Sequence, residues 1–137
     1  MRFAIGAGAV LTILIAHNPV IAAGWPKSPS PAPTTTAATW ALIDQNLARL
    51  ESLIKAGKLD DLGSSAYGIA NAFKLLPGQP SSLPADKLAE IRRDVNIVGG
   101  EVSKLDKAGE HGDARVVQSE LTALKATLAG VRRYYPR

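Results

Sequence analysis

Four stripes of apolar residues, each stepping by three or four positions, leave this chain little choice of fold. The first is Trp40, Ile43, Leu47, Leu50 and Ile54, and the second is Leu59, Leu62, Ala66, Ile69, Phe73 and Leu76. Leu88, Ile91, Val95, Val98, Val102 and Leu105 form the third. Val117, Leu121, Leu124, Leu128, Val131 and Tyr135 form the fourth. Steps of three and four place side chains on one face of an α-helix, whereas a half-buried strand alternates with period two. No segment alternates that way over a useful length, so the fold class is all-α.

The residues between the stripes punctuate them. Thr36 or Thr39 is placed to cap the first helix, and Gly57 ends it beside Lys55 and Lys58. Pro77 closes the second helix. The third opens on Leu83-Pro84-Ala85-Asp86, with proline in the first turn and an acid near the positive helix end. Asp113 is positioned as N-cap of the fourth. The connections at Gly57-Lys58, at 77–83 and at Gly109 to Gly112 are short, and short links make sequential helices antiparallel neighbours. The expected architecture over residues 40–137 is an up-down-up-down four-helix bundle. Gly99-Gly100 falls inside the third stripe at a cost of about 1 kcal/mol per glycine, yet the stripe keeps its phase across the pair. Either a close helix crossing or a hinge or partner groove accounts for it.

Residues 1–23 read as a secretory signal peptide. Arg2 supplies the positive charge, the apolar run Phe3 to Ala16 follows, Pro19 breaks it, and cleavage is expected after Ala22 or Ala23. A membrane-spanning helix needs about 20 apolar residues, which this run does not reach. An uncleaved anchor is the alternative. Residues 24–39, rich in Pro, Ser and Thr, are expected as an extended leader, either a passive spacer or a partner-binding arm. Cleavage removes Met1, His17 and Arg2, leaving a mature chain with no methionine and only His111 as imidazole.

Composition excludes much of the remaining chemistry. With 46% hydrophobic and 20% charged residues the chain is not a disordered one. It contains no cysteine, so disulfides, thiolate metal sites and cysteine nucleophiles are absent. A net charge of +4 is too mild to imply nucleic acid. One histidine without methionine cannot supply the axial pair of a typical haem bundle or the ligands of a di-iron bundle. Nor is there a phosphate-loop, dinucleotide or nucleophile-elbow pattern. No cofactor is expected, and the chain is not expected to be an enzyme.

Two constellations remain. In an up-down-up-down bundle the first and third connections share an end, which sets Asp60 and Asp61 opposite Glu110, His111 and Asp113. A histidine among carboxylates can hold a divalent cation. The same residues equally suit helix capping and a solvated turn. The other constellation is the tail, where Arg132, Arg133, Tyr134 and Arg137 suit anionic lipid headgroups or a protein partner. Helix-dipole capping and sealing of the bundle end is its structural alternative.

The stretches LDDLGSSAYGIANAFKLLP, LPADKLAEIRRDV, LDKAGEHGD and LTALKATLAGVRRYYP resemble small exported helical proteins of Gram-negative bacteria, some of which accompany heavy-metal or copper-tolerance systems. The resemblance covers about residues 40–136. It implies a periplasmic bundle acting as an accessory or binding protein linked to metal homeostasis. In metal-related members the second helix starts with histidines, and here Gly63-Ser64-Ser65 stands in that place. The other function class the sequence admits is an interaction protein that docks on an envelope complex or membrane surface through its leader and arginine-rich tail.

Overall fold

Thr35 starts the first helix. Its backbone is extended, and its hydroxyl oxygen accepts the Ala38 N–H at 3.2 Å, satisfying an amide that has no acceptor within the helix. Helix α1 accordingly runs Thr36–Lys55. In the computed structural model, which describes residues 31–136, three more α-helices follow: α2 (Leu62–Phe73), α3 (Ala85–Glu110) and α4 (Ala114–Arg132). There is no strand among the described residues. The signal segment and residues 24–30 of the leader lie outside the described residues, as does Arg137.

The start of α1 corrects the expected boundary. Thr36–Thr39, expected in the extended leader, form the first turn of the helix, and the cap is Thr35 rather than Thr36 or Thr39. Thr39 is buried. Its hydroxyl lies 2.9 Å from Gln79 Oε1, to which it donates, and accepts from Gln79 Nε2 at 2.7 Å. Gln79 Nε2 also donates to the Pro33 carbonyl at 2.9 Å. A threonine whose hydroxyl is engaged by the Gln79 amide is a satisfied core residue, a role composition alone does not reveal.

The second stripe is not one continuous α-helix. Leu59–Asp61 and Leu76–Gly78 are single 3-10 turns flanking α2. Pro77 has no N–H to extend the α-helical ladder, and Lys58, at φ −87° and ψ 64°, is not helical. The tighter turns still direct Leu59 and Leu76 inward, and Leu76 is fully buried. Helices α1 and α3 end alike. Gly57 (φ 73°) and Gly112 (φ 68°) take the left-handed conformation that side chains resist. Lys58 N–H then reaches Leu53 C=O at 3.0 Å, and Asp113 N–H reaches Ala108 C=O at 2.9 Å, closing each C-terminus in a Schellman pattern.

All four stripes face one apolar core, every member buried or half-buried. Trp40 anchors one end of it, edge-on to Phe73 at 6.2 Å and to Tyr135 at 5.9 Å between ring centroids. Small residues complete the core: Ser65, Ala72, Ala108 and Gly109 are buried as well. Gly109 sits where α3 passes the Leu59 carbonyl, which a Cβ would approach to 2.4 Å. Gly99 and Gly100 do the opposite. Helix α3 runs through both unbroken, and a Cβ on either would meet nothing within 4 Å, so a close crossing does not explain them.

Helices adjacent in sequence pack closely: α1 on α2, α2 on α3, and α3 on α4. The α1–α4 side is different. Long side chains bridge it, with Lys125 paired to Glu51 and Arg132 to Asp44.

Candidate functional site

At the turn end, each sequence-derived candidate has a local structural partner or none. Asp113 Oδ1 accepts the Val116 N–H at 3.1 Å and so caps α4 as expected. His111 is the C-cap of α3, and its Nδ1 donates to the Lys107 carbonyl at 2.6 Å. Asp60 and Asp61 lie exposed in the 3-10 turn before α2, without a side-chain capping bond, where their charge still faces the positive end of that helix. Glu110 is exposed. Asp60, Asp61, Glu110, His111 and Asp113 are therefore not gathered into a ligand set. Among the described residues no group of three or more His, Asp or Glu side chains is placed to share a cation. An exposed turn histidine bonded only to its own helix packs little, so His111→Ala should change folding stability by less than about 0.5 kcal/mol. Superimposable thermal melts of the two proteins are the expected result.

The tail is occupied by intramolecular contacts. Arg132 forks onto Asp44 of α1, with Nη2 donating to Oδ2 at 2.8 Å and Nη1 to Oδ1, and its guanidinium lies 5.0 Å from the Trp40 ring centroid. The hydrogen bond to Asp44 holds the Arg132 pKa above its ordinary value. Tyr134 has two cations near its ring, Lys87 at 5.0 Å and Arg133 at 5.3 Å from the centroid. Its hydroxyl reaches Glu90 Oε2 at 3.4 Å, and Glu90 in turn pairs with Lys87 at 3.1 Å. Arg133 is exposed and Tyr135 seals the core. Arg132 and Tyr134 thus tie the tail to α1 and α3, Arg133 contacts only the neighbouring Tyr134, and Arg137 is outside the described residues.

The feature that sequence reasoning did not locate is the α1–α4 side itself. A cleft of about 600 Å³ opens between the two helices, with Ile54 and Leu121 as its apolar part and Glu51, Lys55, Gln118, Thr122 and Lys125 around it. A second, of about 340 Å³, lies between the first turn of α1 and the end of α4, lined by Thr36, Ala37, Trp40, Arg132, Tyr135 and Pro136. A smaller hollow at Ile43, Asp44, Leu47 and Leu128 also lies on this side. An apolar floor with a polar rim is the usual make-up of a recognition surface. In the sequence only the stripe phase pointed here, because Ile54, Leu121 and Trp40 all belong to stripes.

One half-buried carboxyl lies on the α3–α4 side. Glu101 accepts from Thr127 Oγ1 at 2.9 Å through Oε1, while its Oε2 is buried without a partner. Burial pushes its pKa up, partly opposed by the Thr127 hydrogen bond. A carboxyl whose folded pKa exceeds its unfolded value favours folding at low pH, and that contribution is lost as pH rises through the folded pKa. Glu101→Gln should therefore stabilise the protein at pH 7, by about 0.5 kcal/mol after allowing for solvent screening. The gain should disappear in acid, where both folded and unfolded states carry a neutral glutamic acid. Urea denaturation at the two pH values measures the difference.

Comparison with protein-family models, with curated proteins and with solved structures finds no match to this chain.

Proposed function

We propose that this chain is a non-enzymatic binding or accessory protein of the Gram-negative periplasm, an up-down-up-down four-helix bundle that works through its α1–α4 side. The observation carrying the reading is that α1 and α4 are bridged by the Glu51–Lys125 and Asp44–Arg132 ion pairs and leave a cleft with an apolar floor between them. The topology is supported by which residues meet. Thr39 at the start of α1 bonds Gln79 beyond the end of α2, Glu101 of α3 bonds Thr127 of α4, and Asp44 near the start of α1 pairs with Arg132 at the end of α4. Each of these is the juxtaposition that antiparallel neighbours make.

Export is supported by the charged, apolar and small-residue pattern of residues 1–23 and by the resemblance to exported bundles. Among the described residues no helix is long and apolar enough to cross a membrane. The non-enzymatic reading is supported by the engagement of reactive groups in structure: His111 caps α3, Asp113 caps α4, and Arg132 is spent on Asp44.

The test is native purification of the full gene product from a Gram-negative periplasm. Intact mass should place the N-terminus at Ala23 or Gly24. A stoichiometric occupant is expected in the parent and in Ser64→Trp, on exposed α2 surface, and is expected to be lost from Thr122→Trp, which fills the cleft. A stoichiometric metal among the occupants supports a link to metal homeostasis. A co-purifying protein without metal supports docking on an envelope complex. An occupant retained by Thr122→Trp, or none in the parent, overturns the α1–α4 reading.

A further inference from the structure

Helix α3 sorts its charges by depth. Between Lys87 and Gly109 its exposed residues include Arg92, Arg93, Lys104 and Lys107 and no acid, whereas Glu90, Asp94, Glu101 and Asp106 are all half-buried. Three of these acids are turned to neighbouring elements. Glu90 meets the Tyr134 hydroxyl just beyond α4, and Glu101 meets the Thr127 hydroxyl within it. Asp106 Oδ1 lies 2.6 Å from where a Cβ on Gly63 of α2 would stand. Arg93, Ile97, Gly100, Lys104 and Lys107 step by four and three and are all exposed, so they form one outward row about 21 Å long. None of the four exposed cations of α3 forms an ion pair among the described residues.

The same side carries a second, independent feature. Ile97 and Val116 are 49% and 40% exposed, two large apolar side chains left in water. Ile97 is one turn before Glu101, and Val116 is three turns before Thr127 on the row Val116, Glu120, Ala123, Thr127. Because Glu101 bonds Thr127, both apolar residues lie on the α3–α4 side. A Cβ at Gly100 would meet nothing within 4 Å, so Ile97 stands clear of the position one turn on. Helix α4 continues the charge pattern: Arg115 is exposed near its start, Arg133 is exposed at its end, and no acid between them is exposed.

We propose that the outer α3–α4 face seats on a bilayer surface of anionic lipid headgroups. Arg93, Lys104, Lys107 and Arg115 meet the headgroup phosphates, and Ile97 and Val116 enter the boundary with the acyl chains. Each lysine or arginine near an anionic leaflet raises partitioning about fivefold, so cations gathered on one face act where a modest net charge spread evenly does not. Protein interfaces, by contrast, are depleted in lysine and centre on a packed anchor. Two separated aliphatic side chains among long cations match the lipid surface better. The inference goes beyond the α1–α4 reading and does not depend on it.

The test is co-sedimentation of the full gene product with two kinds of vesicle, phosphatidylcholine alone and phosphatidylcholine mixed equally with phosphatidylglycerol. Partitioning onto the anionic vesicles should exceed that onto the neutral ones at least about tenfold. In about 1 M salt, where charges are screened beyond about 3 Å, it should fall to the neutral value. Arg93→Glu combined with Lys104→Glu should lower anionic partitioning at least about tenfold, and Ile97→Ser at least about threefold. Arg49→Glu combined with Lys58→Glu makes the same change of net charge on exposed residues of α1 and the link after it, and should leave partitioning within about twofold. Every altered side chain is exposed, so thermal melts should overlay the parent's. Equal partitioning onto the two vesicles would overturn the proposal and leave the face to an acidic protein surface. Binding that persists in high salt, equal losses in the two double variants, or an Ile97→Ser protein that binds like the parent would overturn it too.

Discussion

Phe73→Ala is expected to cost about 3–5 kcal/mol, the range for deleting a fully buried phenylalanine. Phe73 is entirely enclosed and presents its ring edge-on to Trp40 at 6.2 Å and 85°. The substitution removes the transfer term, leaves a cavity at the last turn of α2, and forfeits the aromatic contact, itself about 0.5–1.5 kcal/mol. Domains of this size are stable by about 5–15 kcal/mol, so the loss takes up much of the margin. In urea the midpoint should fall with little change in slope, the signature of lost stability without a changed unfolded state. Lys74→Ala, one residue on and exposed, should stay within about 0.5 kcal/mol of the parent. Equal effects at the two positions would mean that the helical phase of α2 is wrong.

Gly109→Ala carries the second large effect, and the contrast with Gly100→Ala gives it its meaning. At position 109 the new methyl would lie 2.4 Å from the Leu59 carbonyl oxygen and 3.2 Å from Leu62 Cδ1. The carbonyl belongs to backbone in the 3-10 turn before α2, so relief requires α3 and that turn to move apart. Overpacking of this kind costs about 1–3 kcal/mol, more than alanine's helix propensity returns. At position 100 the methyl meets nothing within 4 Å, and the same substitution should stabilise by about 1 kcal/mol. Opposite signs in chemical denaturation are the expected outcome for two glycines in one helix.

That contrast marks where sequence reading succeeds and where it stops. Large apolar residues advertise their face through spacing, so the stripes from Trp40 to Tyr135 located the core correctly. Small residues do not advertise. Nothing near Gly109 or Ala108 in sequence tells that a carbonyl fifty positions away passes over them, and nothing near Gly99 tells that no helix does. Thr39 looked like leader because its partner Gln79 is forty positions distant. Asp113 was legible as a cap because capping is a local bond to a residue three positions on. The tail was legible only in composition. Arg132 reads as a free cation until its fork onto Asp44, 88 positions away, is seen. For the clefts on the α1–α4 side the stripe phase gave the face but not the opening, which depends on how far apart two sequence-distant helices come to rest.

The ion-paired α1–α4 side also has a kinetic meaning. Every close helix packing joins sequential neighbours, which is the low-contact-order arrangement that folds fastest, in about microseconds to milliseconds. The Asp44–Arg132 bridge instead closes a loop of 88 positions, and its entropy is lost before any contact across it compensates. That side therefore forms last on the way in and parts first on the way out. Contacts that form after the transition state leave the folding rate alone and act on unfolding. Glu51, Lys125, Asp44 and Arg132 accordingly govern how long the native state lasts rather than how quickly the chain reaches it.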